Sequence, residues 1–323
     1  MSFKKYIRQL SIAFTLLFLA SFFSCKPTKK TVELPQKEIN SPFFKLSLAQ
    51  WSLNKQIRSG EMSPLDFAQK ANELGFEGIE YVSQLYSPEL KKEADLNAAM
   101  QNLLKVLKEK SETYKVQNLL IMVDGEGNLA TDNKEQRNLA VENHKKWVDA
   151  AQFLGCHSIR VNLNGSNDPD IWIKASTNGL SKLATYASTK NINVIVENHG
   201  GLSSNAGLLV KVIEKVNLPN CGVLPDFGNF CMQHKGSKCI KEYDKYKGVE
   251  EMMPYAKAVS AKSYDFDENG NETTIDYIKM LKIVKESGYT GFIGVEYEGS
   301  RLSETEGALA TKNLLIKAAN QLK

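Results

Sequence analysis

The 323-residue chain has few of the residues from which compact sites are usually built. It carries five cysteines and four histidines, and no two cysteines stand in a CxxC pair, which argues against a zinc site. No Gly-rich GxGxxG turn follows the first strand-like segment, where the chain reads "AQWSLNKQIRSG", so a dinucleotide-binding doubly wound sheet is disfavoured. No Arg cluster or Gly-rich phosphate cradle closes any later apolar run. No internal repeat or low-complexity tract interrupts the chain. Its one long apolar stretch, "LSIAFTLLFLASFF" (10–23), is shorter than the roughly 18–20 residues wanted of a membrane-spanning helix.

That stretch follows Lys4, Lys5 and Arg8 and precedes Ser24-Cys25, the pattern of an export signal. "FFSC" resembles the lipobox of bacterial lipoproteins, whose cysteine is acylated and becomes the first residue. The reading is a signal peptide over 1–24 and lipidation at Cys25, giving an exported lipoprotein anchored in the membrane and facing the periplasm. A polar tether would cover 25–43 and one domain 44–323. Without the three positive charges of the leader, the formal charge falls from +4 to +1. That is no footprint for nucleic acid. In an oxidising compartment Cys231 and Cys239 can close a short loop or remain free, while Cys156 and Cys221 read as buried thiols.

What is present is a regular alternation. Short apolar runs at 45–50, 78–82, 118–123, 158–163, 192–197, 221–226, 257–262 and 292–297 read as strands. Helical patterns lie between them, for example 64–75, 138–155 and 274–288, each closing on a glycine before the next strand. The spacing is too long for hairpins and suits strand–helix crossovers. Eight such units predict an α/β chain folded as a single (β/α)8 TIM barrel.

In such a barrel the chemistry sits where strands end. Strand five ends in Glu197, within "NVIVENHGG"; strand six in Asp226, within "LPDFGNF"; strand eight in Glu296, within "GFIGVEYEG". Three acids converging in a partly dry mouth repel one another unless a cation offsets them, and oxygen donors suit magnesium or manganese. His199 alone of the histidines reaches that face: His157 precedes its strand, His144 lies within a helix beside Trp147, and His234 is in the loop after strand six.

The barrel pattern with "VIVENHGG", "LPDFGNF" and "GYTGFIGVEYEG" resembles the xylose-isomerase-like TIM-barrel superfamily of sugar isomerases, sugar epimerases and apurinic-site endonucleases, over roughly residues 44–320. The resemblance implies a divalent metal on Glu197, Asp226 and Glu296, with Glu197 and Glu296 also as the acid–base pair and Lys262 as the family's lysine. It also exposes a departure. The family's histidine on strand seven falls on Ser260, leaving water, a substrate oxygen or His199 for that place, or a weaker site. Asn229 stands where several epimerases carry another histidine. His199, Asn162, Asn229 and Trp51 are candidate substrate contacts. The implied activity is isomerisation or epimerisation of a non-phosphorylated sugar by proton transfer. The alternatives are a metal-assisted lyase acting on 3-keto-glycosides and a non-catalytic sugar-binding lipoprotein; the endonuclease reading is weakest.

Overall fold

A computed structural model describes residues 42–322. The leader, Cys25 and nearly all of the tether lie outside these residues. Phe43 already lies against the core.

Eight parallel strands form one sheet: β1 (Lys45–Ala49), β2 (Gly78–Val82), β3 (Gln117–Met122), β4 (Ser158–Val161), β5 (Asn193–Glu197) and β6 (Cys221–Leu224) are followed, after an antiparallel hairpin of β7 (Cys231–Lys235) and β8 (Lys238–Glu242), by β9 (Val259–Ser263) and β10 (Phe292–Tyr297). The sheet order is β6-β5-β4-β3-β2-β1-β10-β9. Its two ends meet. Bridges join Val223 to Ala256 and Asp226 to Ser260, and the Ser260 N–H donates to the Pro225 carbonyl at 2.9 Å. The expected (β/α)8 barrel is the fold.

Sequence chemistry explains where the elements stop. β6 ends at Leu224, two residues short of its expected end, because Pro225 has no N–H to extend the ladder. Asp226 therefore sits on a less regular segment that still bridges to β9. The helix expected over 138–155 begins earlier, at Lys134, where the Asn133 side chain accepts the Gln136 N–H; it ends at Leu154 on left-handed Gly155. The one expected over 64–75 opens as a 3-10 turn at Pro64–Asp66 before the helix Phe67–Glu73. That expected over 274–288 is confined to Tyr277–Glu286 by its Asp276 cap. No helix among the described residues is long and apolar enough to cross a membrane.

The apolar core lies between strands and helices, with Val194, Ile195 and Val196 fully buried. The barrel's interior is different. Such interiors are normally filled by branched aliphatic side chains. Here Ser47, Glu80, Arg160, Glu197, Asp226, Ser260, Lys262 and Glu296 are all buried and linked across the lumen by the contacts described below.

Candidate active site

Strand ends bring the three predicted acids together. Glu197 closes β5, Asp226 follows β6 and Glu296 lies in β10; one carboxylate oxygen from each falls within 4.8 Å of the others. All three are buried. Asp226 is oriented by its own loop, since Oδ1 accepts the backbone N–H of Gly228 at 2.9 Å and of Asn229 at 2.8 Å. Asn198 clamps that loop: its Oδ1 accepts the Asp226 N–H at 2.7 Å, and its amide donates to the Asp226 carbonyl at 3.0 Å. Asn229 also donates from its side chain to Glu197 Oε1 at 3.0 Å, so one residue braces two acids.

Two bases enter the lumen. Lys262 Nζ stands 3.0 Å from Glu296 Oε1, 3.1 Å from Glu298 Oε2 and 3.9 Å from Asp226 Oδ2. Burial alone would make it easier to deprotonate, but these acids outweigh that cost and hold it charged. Arg160 bridges Asp124, through a hydrogen bond at 3.0 Å, and Glu197, whose Oε2 lies 2.9 Å from the guanidinium Nε. The latter approach is poorly aligned, and both Arg160 Nε and Glu197 Oε2 are buried without a hydrogen bond among the described residues.

Ser260 occupies the place where the family's histidine was expected. Its hydroxyl lies 2.7 Å from Asp226 Oδ2 and 3.0 Å from Glu296 Oε2. One hydroxyl proton serves only one carboxylate at a time. Burial, opposed by Lys262 and reinforced by neighbouring carboxylates, pushes Asp226 up to about 8 and raises Glu296. The pair is short of positive charge. Among the described residues, Glu197 adds a third buried acid to this set, which faces Arg160 and Lys262, and Glu80 lies buried in the same lumen.

The donor set fits a hard divalent cation. Glu197, Asp226 and Glu296 offer only carboxylate oxygens at close mutual range, and Glu197 Oε2, ion-paired with Arg160 but without a hydrogen bond among the described residues, provides a buried acceptor. Those residues would hold it. The structure does not bring His199 into this set: its side chain is exposed at the rim, while its N–H donates to Ser203 Oγ at 3.1 Å.

The other anticipated contacts are distributed around the mouth. Asn162 donates to Asp124 Oδ1 at 2.8 Å and keeps a buried Oδ1 without a hydrogen-bond partner among the described residues. Trp51 donates its indole N–H to Glu298. His144 is buried in its helix, with Nδ1 2.7 Å from the Ala140 carbonyl. His157 lies just before β4, at the opposite face, and His234 lies in the hairpin, which a Cys231–Cys239 disulfide closes. Cys156 and Cys221 are free and buried.

Sequence reasoning missed Glu80, Arg160, Asp124 and Glu298. Glu80 and Arg160 stand inside otherwise apolar "GIEYV" and "SIRV" strands, a visible sign of a lumen-facing charge. Glu298 lies two residues beyond Glu296. Burial raises its pKa, but Lys262, Trp51 and the rim histidine His199 bring it below the usual range.

Residues 68–318 match the family described as xylose isomerase-like TIM barrel. The chain belongs to this family. The C-glycoside deglycosidase alpha subunit of Arthrobacter globiformis is 37% identical over 54 residues, 17% of this chain but only 15% of that protein. A D-tagatose 3-epimerase-like protein superposes with a TM-score of 0.65 at 20% identity, covering 86% of this chain and 98% of that one. The 3-keto-D-glucoside 4-epimerase of E. coli gives 0.64 at 13%, covering 85% and 99%. At such identities these structures speak to the fold. Other solved barrels of similar fold contain zinc or magnesium. The family consists largely of sugar-processing enzymes.

Proposed function

We propose that the protein is a divalent-metal-dependent enzyme that moves a proton at the carbon beside the carbonyl of a non-phosphorylated sugar or sugar derivative. The observation carrying this reading is the convergence of Glu197, Asp226 and Glu296 around buried Lys262. When bound, magnesium or manganese supplies Lewis-acid polarisation of the substrate carbonyl. Glu197 and Glu296 act as the acid–base pair, one taking the carbon-bound proton and the other returning a proton. Lys262 offsets the charge that develops on the carbonyl oxygen. Asn229 and Arg160 hold Glu197, and Asn162 and His199 offer hydroxyl contacts at the rim. Return to the opposite face of the same carbon gives an epimer; delivery to the adjacent carbon gives an isomer.

The local match to a deglycosidase subunit favours a second reading with the same groups. On a 3-keto-glycoside, the base removes the C2 proton, the C2–H electron pair becomes the C1=C2 bond, and the bond from C1 to the aglycone breaks. The departing atom, oxygen in an O-glycoside or carbon in a C-glycoside, takes a proton. Export as a Cys25-anchored, periplasm-facing lipoprotein belongs to the proposal, and the Cys231–Cys239 disulfide supports an oxidising destination.

Metal analysis of the purified protein beside a Glu296→Ala variant tests the site: the wild type should retain a stoichiometric divalent ion that the variant loses. Incubation with manganese and a 3-keto-glucoside separates the reactions. A new sugar isomer supports proton transfer with retention of the aglycone, and released aglycone supports elimination. Sugar binding without either product would leave a binding protein.

A further inference from the structure

Beside the acid cluster lies a cavity of 360 Å³ that the proton-transfer chemistry does not use. Trp51, Tyr264, Lys55 and Glu298 shape it. Its volume falls within the range of small-molecule sites, which combine apolar walls with a few polar groups. Glu298 is the shared wall: Oε2 faces Lys262 at 3.1 Å, and Lys262 reaches Glu296 at 3.0 Å. The cavity is therefore one carboxylate away from the reacting centre.

Its aromatic walls are held in place. The Trp51 indole N–H is fixed on Glu298, and the Arg58 guanidinium covers one ring face at 4.7 Å. Tyr264 follows the last residue of β9 and lies with Lys262 beside Gly228. A methyl group added at Gly228 would come within 2.8 Å of the Tyr264 hydroxyl, so this glycine makes room for the ring beside the Asp226 loop. The Tyr264 hydroxyl makes no hydrogen bond among the described residues and is not fully buried. Lys55, held near the Gly299 carbonyl at 3.3 Å, adds a cation to the wall.

We propose that this cavity is an aglycone subsite, seating a ring attached to the reacting sugar beside Trp51 and Tyr264, so that the substrate is a glycoside rather than a free monosaccharide. This rests on the proton-transfer reading of the adjoining acids. A planar ring gains stacking and apolar contact there, while Tyr264 and Lys55 supply donors for its oxygen substituents. A methyl group in the same place would leave the aromatic walls without a partner.

Calorimetric titration of manganese-loaded protein with phenyl β-glucoside, methyl β-glucoside and glucose tests the assignment. Phenyl β-glucoside should bind about tenfold or more tightly than the methyl glycoside. That preference should vanish in Trp51→Ala and, independently, in Tyr264→Ala. In the wild type, phenyl binding should also change tryptophan fluorescence, because Trp147 and Trp172 are buried away from this cavity. Equal affinities for the phenyl and methyl glycosides, or no binding of either, would overturn the subsite. If manganese is retained, that result leaves the proposed chemistry standing; failure to retain any divalent ion would overturn the chemistry instead.

Discussion

Two glutamates buried in the same barrel have opposite surroundings. Glu296, near the mouth, faces Lys262 at 3.0 Å and shares the Ser260 hydroxyl with Asp226. Glu80, on β2, accepts only the Ser47 hydroxyl, at 2.7 Å, and its Oε2 has no partner among the described residues. It packs over Gly294, where any side chain would collide with its carboxyl group. Burial, partly offset by Ser47 and reinforced by Glu296 and Glu197, raises Glu80 to about 8, so it is mainly protonated at neutral pH. Burial without a cation in contact thus leaves Glu80 mainly neutral. Burial within a set of converging acids and bases yields a site able to manage charge.

Substitutions sharpen this contrast. The largest effect is expected from Glu296→Gln, which removes a proposed acid–base group and metal donor. Turnover should fall by about 10³-fold, with loss of bound metal read by elemental analysis. Lys262→Met should follow. It leaves buried carboxylates without their cation, and the metal-free protein should lose about 3 kcal/mol of stability in denaturant titrations. Added magnesium or manganese should restore part of that loss.

Glu80→Gln should move stability the other way. An acid whose folded pKa lies above its unfolded value contributes fully below the unfolded value, near 4.5, and loses that contribution as pH rises through about 8. The neutral amide should therefore gain on the order of 2 kcal/mol over wild type near pH 8 and nothing near pH 4. A pH series of thermal melts checks this; equal pH profiles for the two proteins would show that Glu80 is not held protonated by the fold. Ser260→Ala has the smallest expected effect, about 1 kcal/mol in metal-free protein, because it deletes one donor to the Asp226–Glu296 pair. Equilibrium unfolding measures it.

The comparison also marks what was legible beforehand. Glu197, Asp226 and Glu296 were visible because each follows an apolar run at the same depth, and a barrel gathers strand ends at one face. Glu80 and Arg160 lie within their strands, away from the ends where a barrel's chemistry is expected. A charge within a strand covered on both faces has only the lumen left to enter, and that signal was present. Glu298 was hidden differently. Its importance depends on Lys262 and Trp51, residues far away in sequence. His199 lies two residues beyond an acid in sequence, yet the turn into Gly200 leaves its side chain exposed at the rim, outside the acid cluster.

From the sequence alone came the number of strand–helix units, the barrel, and the three acids at its mouth. These follow from local periodicity and from strand ends sharing one face. Tertiary structure alone decided that Ser260 links two carboxylates, that Arg160 reaches Glu197, and that Glu298 joins the reacting centre to a second cavity. Each depends on register and side-chain reach across the closed barrel, where a shift of one residue would turn the same groups away from the lumen.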